Sequence, residues 1–478
     1  MNATPTTRTP PKQSTVLRRD LRASTIEGVL TIPIGIMSLP VNIFITSLVA
    51  KGFPLSKPVI GGICSMPSAC NFLQVFITPL VTRWLPAKPT AIVAAALHAL
   101  CWGWLALMLP SLSADDPLAT GRFLLLWVFV SSLFNAVFGV VWNGCMHDLV
   151  PARLRGRYFS QRNRISQGAT LAFVLSTGCV LAWGDYSARA FQAIIGVACV
   201  CRVASLYYFS QIHGRQPTDQ EASVRIPLLV QLSVVRRSHS LLLFIAFGAV
   251  WSFAANCFGP FYQIFLFEQL NLSGFRVSIL STLSALGGIV SLPVWGGLID
   301  RYGNKACMAV ALGLWMLQSF LWCIITPANC TILYGMFFWG GFLGAGFVLG
   351  QFTMLLKLIP PEARSLAIGL NLAVPSTVAA LSPVVGGQVL GWMLNQGYAP
   401  LDVYHAAFLV MPVAAILSCI LLLRIKEPVS STLSTVVGAM LVGAMRNIRT
   451  LSGVLGLSFF VNYLFVKPSA DNFRRFRK

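Results

Sequence analysis

Charge is what this chain has little of. Only 10% of its 478 residues are Asp, Glu, Lys or Arg, against 56% hydrophobic, whereas a water-soluble globular protein carries roughly 25% charged residues. Too few polar groups remain to cover a surface facing water, so lipid is the expected solvent. Acids are scarcer still, 14 Asp and Glu against 35 Lys and Arg. Of the 12 cysteines none forms a C-x-x-C pair. Cys199 and Cys201 point to different faces of one helix, and the expected role of the set is that of small buried hydrophobes. The five histidines, His98, His147, His213, His239 and His405, lack the i, i+4 spacing of a metal site. A phosphate-cradling G-x-x-x-x-G-K-[ST] loop is missing, and no nucleophile–base constellation stands out. These absences argue against a metal, a bound cofactor, direct drive by ATP, and an enzyme. The first 25 residues lack the apolar core and small-residue cleavage site of a signal peptide. They are polar and basic, with Pro5, Pro10 and Pro11 opposing helix, and residues 1–25 are expected to form a disordered cytoplasmic arm.

What is present is a series of apolar runs of at least ~17 residues, the length that crosses a hydrocarbon core about 30 Å thick. Twelve are expected: 26–50, 58–82, 90–110, 122–146, 165–184, 188–209, 241–266, 277–299, 306–327, 331–356, 366–393 and 404–424. The fold class is therefore all-α and polytopic. Pro33 and Pro40 are expected to bend the first helix, and Pro375 and Pro383 the eleventh, which lipid tolerates where neighbouring helices satisfy the freed backbone groups. The longest internal polar stretch, 211–240, holds His213, Arg215, Asp219, Glu221, Arg225, Arg236 and Arg237. It reads as a cytoplasmic linker that divides the helices into six (26–210) and six (241–425) and permits the halves to move. The net charge of +21 follows from topology rather than from nucleic acid. On one side of the membrane the loops keep only Lys51, Lys57, Arg122, Arg189 and Arg276, and Arg202 lies within a helix. The remaining cations gather on the other side, as the positive-inside rule requires of the cytoplasm, and both termini fall there. Residues 426–478 are apolar with a basic end, Arg474, Arg475, Arg477 and Lys478. A thirteenth span would be short and would put that end outside, so one or two amphipathic helices on anionic lipid of the cytoplasmic leaflet are expected.

Between two of these runs lies the pattern G-x-x-x-D-R-x-G-x-K, made by Gly296, Asp300, Arg301, Gly303 and Lys305. It suits a tight turn between membrane helices. Gly303 permits a backbone that a β-carbon would penalise, and Asp300 could face the positive end of a neighbouring helix. A bare hairpin turn with solvated charges is the alternative. A second pattern repeats between the halves: Pro151 is followed by Arg155, and Pro360 by Arg364, each just after a span. The pattern at 296–305 resembles the short cytoplasmic loop of the major facilitator superfamily of transporters. The stretch from His147 to Asn163 and the start around Leu21, Arg22, Glu27 and Gly28 look like bacterial facilitator-type permeases. The resemblance covers about residues 20–427. It implies two pseudo-symmetric six-helix bundles, a cell inner membrane location, and a monomer. The first-half counterpart of the loop, with Thr82, Arg83, Trp84 and Lys88, keeps the basic residues but lacks the Asp and both glycines.

Ionisable groups inside lipid are costly, so each is a candidate for function. Glu27, at the expected start of the first helix, is a possible proton site or an acid complementing the helix dipole. The resemblance implies a gating charge lock from Asp148, Arg153, Arg155, Arg157, Asp300, Arg301, Gly303, Lys305 and Arg364. His98 and Arg202 are expected at the periphery, as a packed imidazole and an arginine reaching to the interface. The resemblance places a substrate cavity among the amides and aromatics Asn42, Asn71, Gln74, Asn135, Trp142, Asn143, Asn256, Tyr262, Gln263, Gln351, Asn371 and Gln388. Uncharged hydrogen-bonding groups with aromatic faces suit a neutral or amphipathic organic solute, although each amide could equally join helices. The expected function is secondary or facilitative transport of such a small-molecule solute by alternating access. A non-transporting scaffold acting in membrane assembly or lipid handling through its tail is the other reading.

Overall fold

The computed structural model describes residues 13–84, 86–112, 116–150, 152–212, 228–427, 434–436 and 438. Among these the chain is helical throughout, as expected where no water is at hand to satisfy an open backbone. The helices in order are α1 (Gln13–Met37), α2 (Ile43–Ser47), α3 (Lys57–Trp84), α4 (Ala87–Met108), α5 (Pro117–Leu149), α6 (Ala152–Trp183), α7 (Ala188–Ser210) and α8 (Leu228–Arg237). There follow α9 (His239–Cys257), α10 (Gly259–Glu268), α11 (Gly274–Tyr302), α12 (Asn304–Ser319), α13 (Ile332–Leu358), α14 (Arg364–Asn395), α15 (Pro400–Phe408) and α16 (Val410–Arg424).

Ten stretches are long and apolar enough to cross a membrane among the described residues, from Lys88–Ser111 to Pro400–Arg424. Of the expected spans, 26–50 and 58–82 are not among the ten. The first is broken: α1 ends at Met37, the chain loosens over 38–42 around Pro40, and α2 runs on into a π-helical turn, Leu48–Gly52. Pro33 is carried inside α1. The second, α3, holds Pro58, Pro67, Asn71 and Gln74 among its apolar residues, yet its 28 residues measure about 42 Å at 1.5 Å per residue. The seventh expected span is among the ten, as His239–Glu268, with a break in its helix at Phe258 before Gly259 and Pro260. α14 contains both Pro375 and Pro383 without interruption.

Two expectations, at the N-terminus and in the linker, change. α1 starts at Gln13, so helix occupies half of the expected arm 1–25, and residues 1–12 lie outside the described residues. The linker 211–240 holds α8 at its end, and 213–227 lie outside the described residues. So does most of the tail 426–478, including its expected lipid-binding helices.

α1 packs on α6 and α7, α5 on α3 and α4, and α4 on α7. On the other side α11 packs on α13, α9 on α14 and α16, and α12 on α13 and α16. The two sets meet along two seams, α3 with α14 and α6 with α11. Both seams close near the end of the molecule that carries the Gly397 turn. There a β-carbon at Gly61 would collide with the Pro383 carbonyl, one at Gly387 with the Lys57 carbonyl, and one at Gly178 with the Ser278 hydroxyl. One apolar core spans both sets at this end, with Phe44 and Phe191 of one and Phe261, Phe265 and Phe408 of the other. Towards the opposite end, which carries the Gly303 turn, the buried clusters separate into one built on α4, α5 and α7 and others built on α9, α12 and α13. Apolar residues of the seam helices are exposed there: Phe76, Leu80 and Trp84 of α3, Val290 and Val294 of α11, and Leu372 of α14. The molecule is thus sealed at the Gly397 end and parted at the Gly303 end.

Candidate functional site

The buried charges sit on α1, α6 and α7. Glu27 lies well inside α1, 14 residues past its first residue and 1% exposed, rather than at a helix start. Its Oε2 accepts from Trp142 Nε1 at 3.2 Å and faces Arg162 Nη2 at 3.6 Å. Its Oε1 accepts from the Thr31 hydroxyl at 3.1 Å. Arg162 reaches this place because α6 begins at Ala152, far ahead of the apolar run. Its guanidinium lies over the Trp142 ring at 4.7 Å and against the bare backbone of Gly28, where a β-carbon would collide with it.

Arg202 does not reach to an interface. It is 1% exposed, donates from Nη1 to Thr31 Oγ1 at 3.0 Å and stacks over Phe138 at 4.0 Å. Thr31 also shares a 2.8 Å hydrogen bond with Ser205. One carboxylate therefore faces two guanidinium groups, one in contact and one through a hydroxyl, and a buried charge without such partners would be prohibitive. His98 is packed as expected: fully buried, with Trp102 Nε1 donating to its Nε2 at 3.0 Å and Ser38 Oγ 3.0 Å from the same nitrogen.

The expected cavity amides are dispersed. Asn42 is structural. Its Oδ1 accepts from Ile45 N to cap α2, and its Nδ2 donates to the Met37 and Leu39 carbonyls that the break sets free. Tyr262 is half-buried, stacked on Phe408 at 4.0 Å and edge-on to Trp322 at 4.7 Å. Gln263 joins the two sets, its Oε1 accepting from Thr46 Oγ1 at 2.9 Å. Trp142 belongs to the Glu27 network. Asn143 and Asn256 each donate back to their own helix, to Gly139 O and Ser252 O. Asn71, Asn143 and Gln388 are exposed, and Gln74, Asn135, Gln351 and Asn371 half-buried, on helices that part towards the Gly303 end.

The side chains of Asp148, Arg153, Arg155, Arg157 and Arg364 lie outside the described residues. In the 296–305 loop Gly303 has φ 88°, the left-handed region that a β-carbon resists. Asp300 is exposed, and Arg301 lies over Tyr302 at 5.4 Å. The acid at the neighbouring helix terminus is Glu427 instead. It accepts from Asn304 N and Lys305 N at the start of α12 and pairs with Lys357 at 3.0 Å, while Lys305 Nζ donates to Ile425 O. The positive end of α12 draws a carboxylate that sequence proximity could not reveal.

Sequence reasoning also missed a latch at the Gly397 end. Lys57 pairs with Glu268 across the seam, and Tyr404 donates to the same Oε2 at 3.1 Å. Lys51 donates to Asn271 Oδ1 at 2.8 Å. Tyr186, in the turn before α7, accepts from Gly274 N at 2.7 Å, and burial pushes its phenol up, so it stays protonated. The cations of this latch had been read only as charges in outer loops.

The sequence model of the Major Facilitator Superfamily matches residues 250–468. The chain is 30% identical over 139 residues to the uncharacterized MFS-type transporter YfiU of Bacillus subtilis (strain 168), covering 28% of this chain and 24% of that protein. It is 26% identical over 163 residues to multidrug resistance protein 1 of the same organism, covering 34% of this chain and 39% of that one. The chain thus aligns with well under half the length of either. The crystal structure of a bacterial homologue of the iron transporter ferroportin in an inward-facing state matches with TM-score 0.64 at 14% identity, over 86% of this chain and 99% of that one. At that identity the likeness is one of fold.

Proposed function

We propose that this chain is a member of the major facilitator superfamily and a secondary transporter of a small neutral or amphipathic organic solute. It works by alternating access in a bacterial cytoplasmic membrane, with both termini in the cytoplasm. In this reading α1 with α2, and α3, complete twelve spans in two pseudo-symmetric six-helix bundles, 26–210 and 241–425, that rock about their seams. The observation that carries it is the asymmetry of those seams: backbone-tight contact at the Gly397 end, and separate buried clusters with exposed apolar residues on α3, α11 and α14 at the Gly303 end. A permeation path open on one side only is what alternating access requires. The match to a multidrug resistance protein supports an amphipathic solute. The half-buried amides Gln74, Asn135, Gln351 and Asn371 are the remaining contact candidates.

Glu27 is the proposed proton site. Its carboxylate is a buried acid of the parted half, held by Trp142, Thr31 and Arg162. Flux of a fluorescent amphipathic dye into proteoliposomes, with and without a pH gradient, tests both parts. Wild type should move dye faster with the gradient, and Glu27→Gln should move it at one rate regardless. Absence of dye flux across a chemically broad panel would remove the transport reading, and an undiminished gradient response in the variant would remove the proton site.

A further inference from the structure

A cleft of about 770 Å³ opens at the Gly303 end between the first halves of α1 and α6. One wall is Arg18, Arg22 and Ile26, spaced i, i+4, i+8 on α1. The other is Tyr158, Arg162 and Ile165 on α6. The two walls share a gradient. Arg18 and Arg22 are exposed at the rim, the Arg162 guanidinium and the Tyr158 hydroxyl lie further in, and the apolar Ile26 and Ile165 are open to the cleft at 41% and 45% exposure. The nearby acids of α1, Asp20 and Glu27, are each 1% exposed, so they leave the rim cationic. The volume is that of a small-molecule site.

α6 also forms one side of a gap. It crosses α11 where Gly178 and Val174 meet Ser278, and from Val174 back to Gln161 it runs 13 residues, about 20 Å. Val290 and Val294 of α11 are exposed. Lipid at that level borders apolar side chains and then the cationic rim, an arrangement complementary to a molecule with a hydrocarbon tail and an anionic head.

We infer that this cleft binds the anionic headgroup of a single-chain amphiphile drawn from the leaflet at the Gly303 end, its tail against Ile26 and Ile165. The inference rests on the transporter reading and gives its solute class a sign of charge. Guanidinium groups at the rim would bind phosphate or carboxylate oxygens by charge-assisted hydrogen bonds.

The test uses the full chain purified in a neutral maltoside detergent, titrated calorimetrically with dodecyl phosphate. One-to-one binding is expected, with inorganic phosphate and dodecyltrimethylammonium silent. The double variant Arg18→Gln, Arg22→Gln should weaken it about tenfold, the order of effect for losing two part-exposed charge pairs, and Arg18→Lys, Arg22→Lys should keep most of it. Both positions are exposed, so the variants are expected to fold, which a thermal melt checks. Inorganic phosphate binding as tightly would overturn the amphiphile in favour of a free anion. Equal binding of dodecyltrimethylammonium, or no effect of the glutamine pair, would overturn the site altogether. Dye flux measured after the same protein is reconstituted into proteoliposomes separates the two readings: flux without dodecyl phosphate binding sinks only the cleft, and binding without flux sinks only transport.

Discussion

Replacing Glu268 with Gln should release the sealed end. The carboxylate pairs with Lys57 across the α3–α14 side of the molecule and accepts from Tyr404, with the Lys57 and Glu268 side chains only 13% and 22% exposed. Fully exposed pairs contribute up to about 1 kcal/mol, and breaking a buried pair costs about 3 kcal/mol or more. An intermediate burial gives about 2 kcal/mol. The whole of that falls on the sealed state, because the two partners belong to different helix sets and meet only there. The equilibrium between sealed and unsealed forms should shift about 30-fold, at 1.4 kcal/mol per factor of ten. Spin labels on Ala119→Cys and Tyr398→Cys report the separation, both positions being exposed at this end. Among the described residues the native cysteines are all buried or half-buried, so labelling favours the added pair. The Glu268→Gln distribution should gain a long-distance component. Lys57→Gln should do the same, and the double variant should add little to either single one. An unchanged distribution, or singles whose effects add in full, would refute the latch.

Gly387→Val should act at the same seam by steric force, since even a β-carbon there meets the Lys57 carbonyl; the same label pair should lengthen, and no lengthening would mean the seam yields elsewhere. Glu427→Ala removes the acceptor for two amides of α12 and the partner of Lys357. A loss of about 2 kcal/mol is expected from a lost cap and a broken pair, visible as a drop in melting temperature of a few degrees, and an unaltered melt would contradict the capping role.

Hydropathy and turn chemistry made much of this architecture legible. Long apolar runs, the Gly303 turn and the basic loops all follow from the solvent and from φ alone. Misreadings arose where a side chain's partner is remote in sequence. Glu27 stood out as an acid in an apolar run, but Arg162 did not, because α6 extends thirteen residues before its apolar part begins and hydropathy is silent on such an overhang. Asn42 resembled a cavity amide, whereas an amide beside a proline-induced break is also an N-cap. Tyr262 resembled a ligand contact, whereas Phe408 and Trp322 enclose it. The Gly259–Pro260 pair was a visible stop signal inside an apolar run; it breaks the helix between α9 and α10, while the run His239–Glu268 remains one stretch long and apolar enough to cross. Glu427 escaped because it sits where the last helix gives way to the tail.

The break in the first helix has a mechanical consequence. Below it α1 is fastened by salt bridge and hydroxyl to its own side of the molecule. Above it Thr46 on α2 grips Gln263 on the other side. An unbroken rod anchored to two moving bodies would carry every tilt of one into the other. A jointed rod, whose slack peptide groups Asn42 has already satisfied, lets the far segment swing while the carboxylate of Glu27 keeps its place.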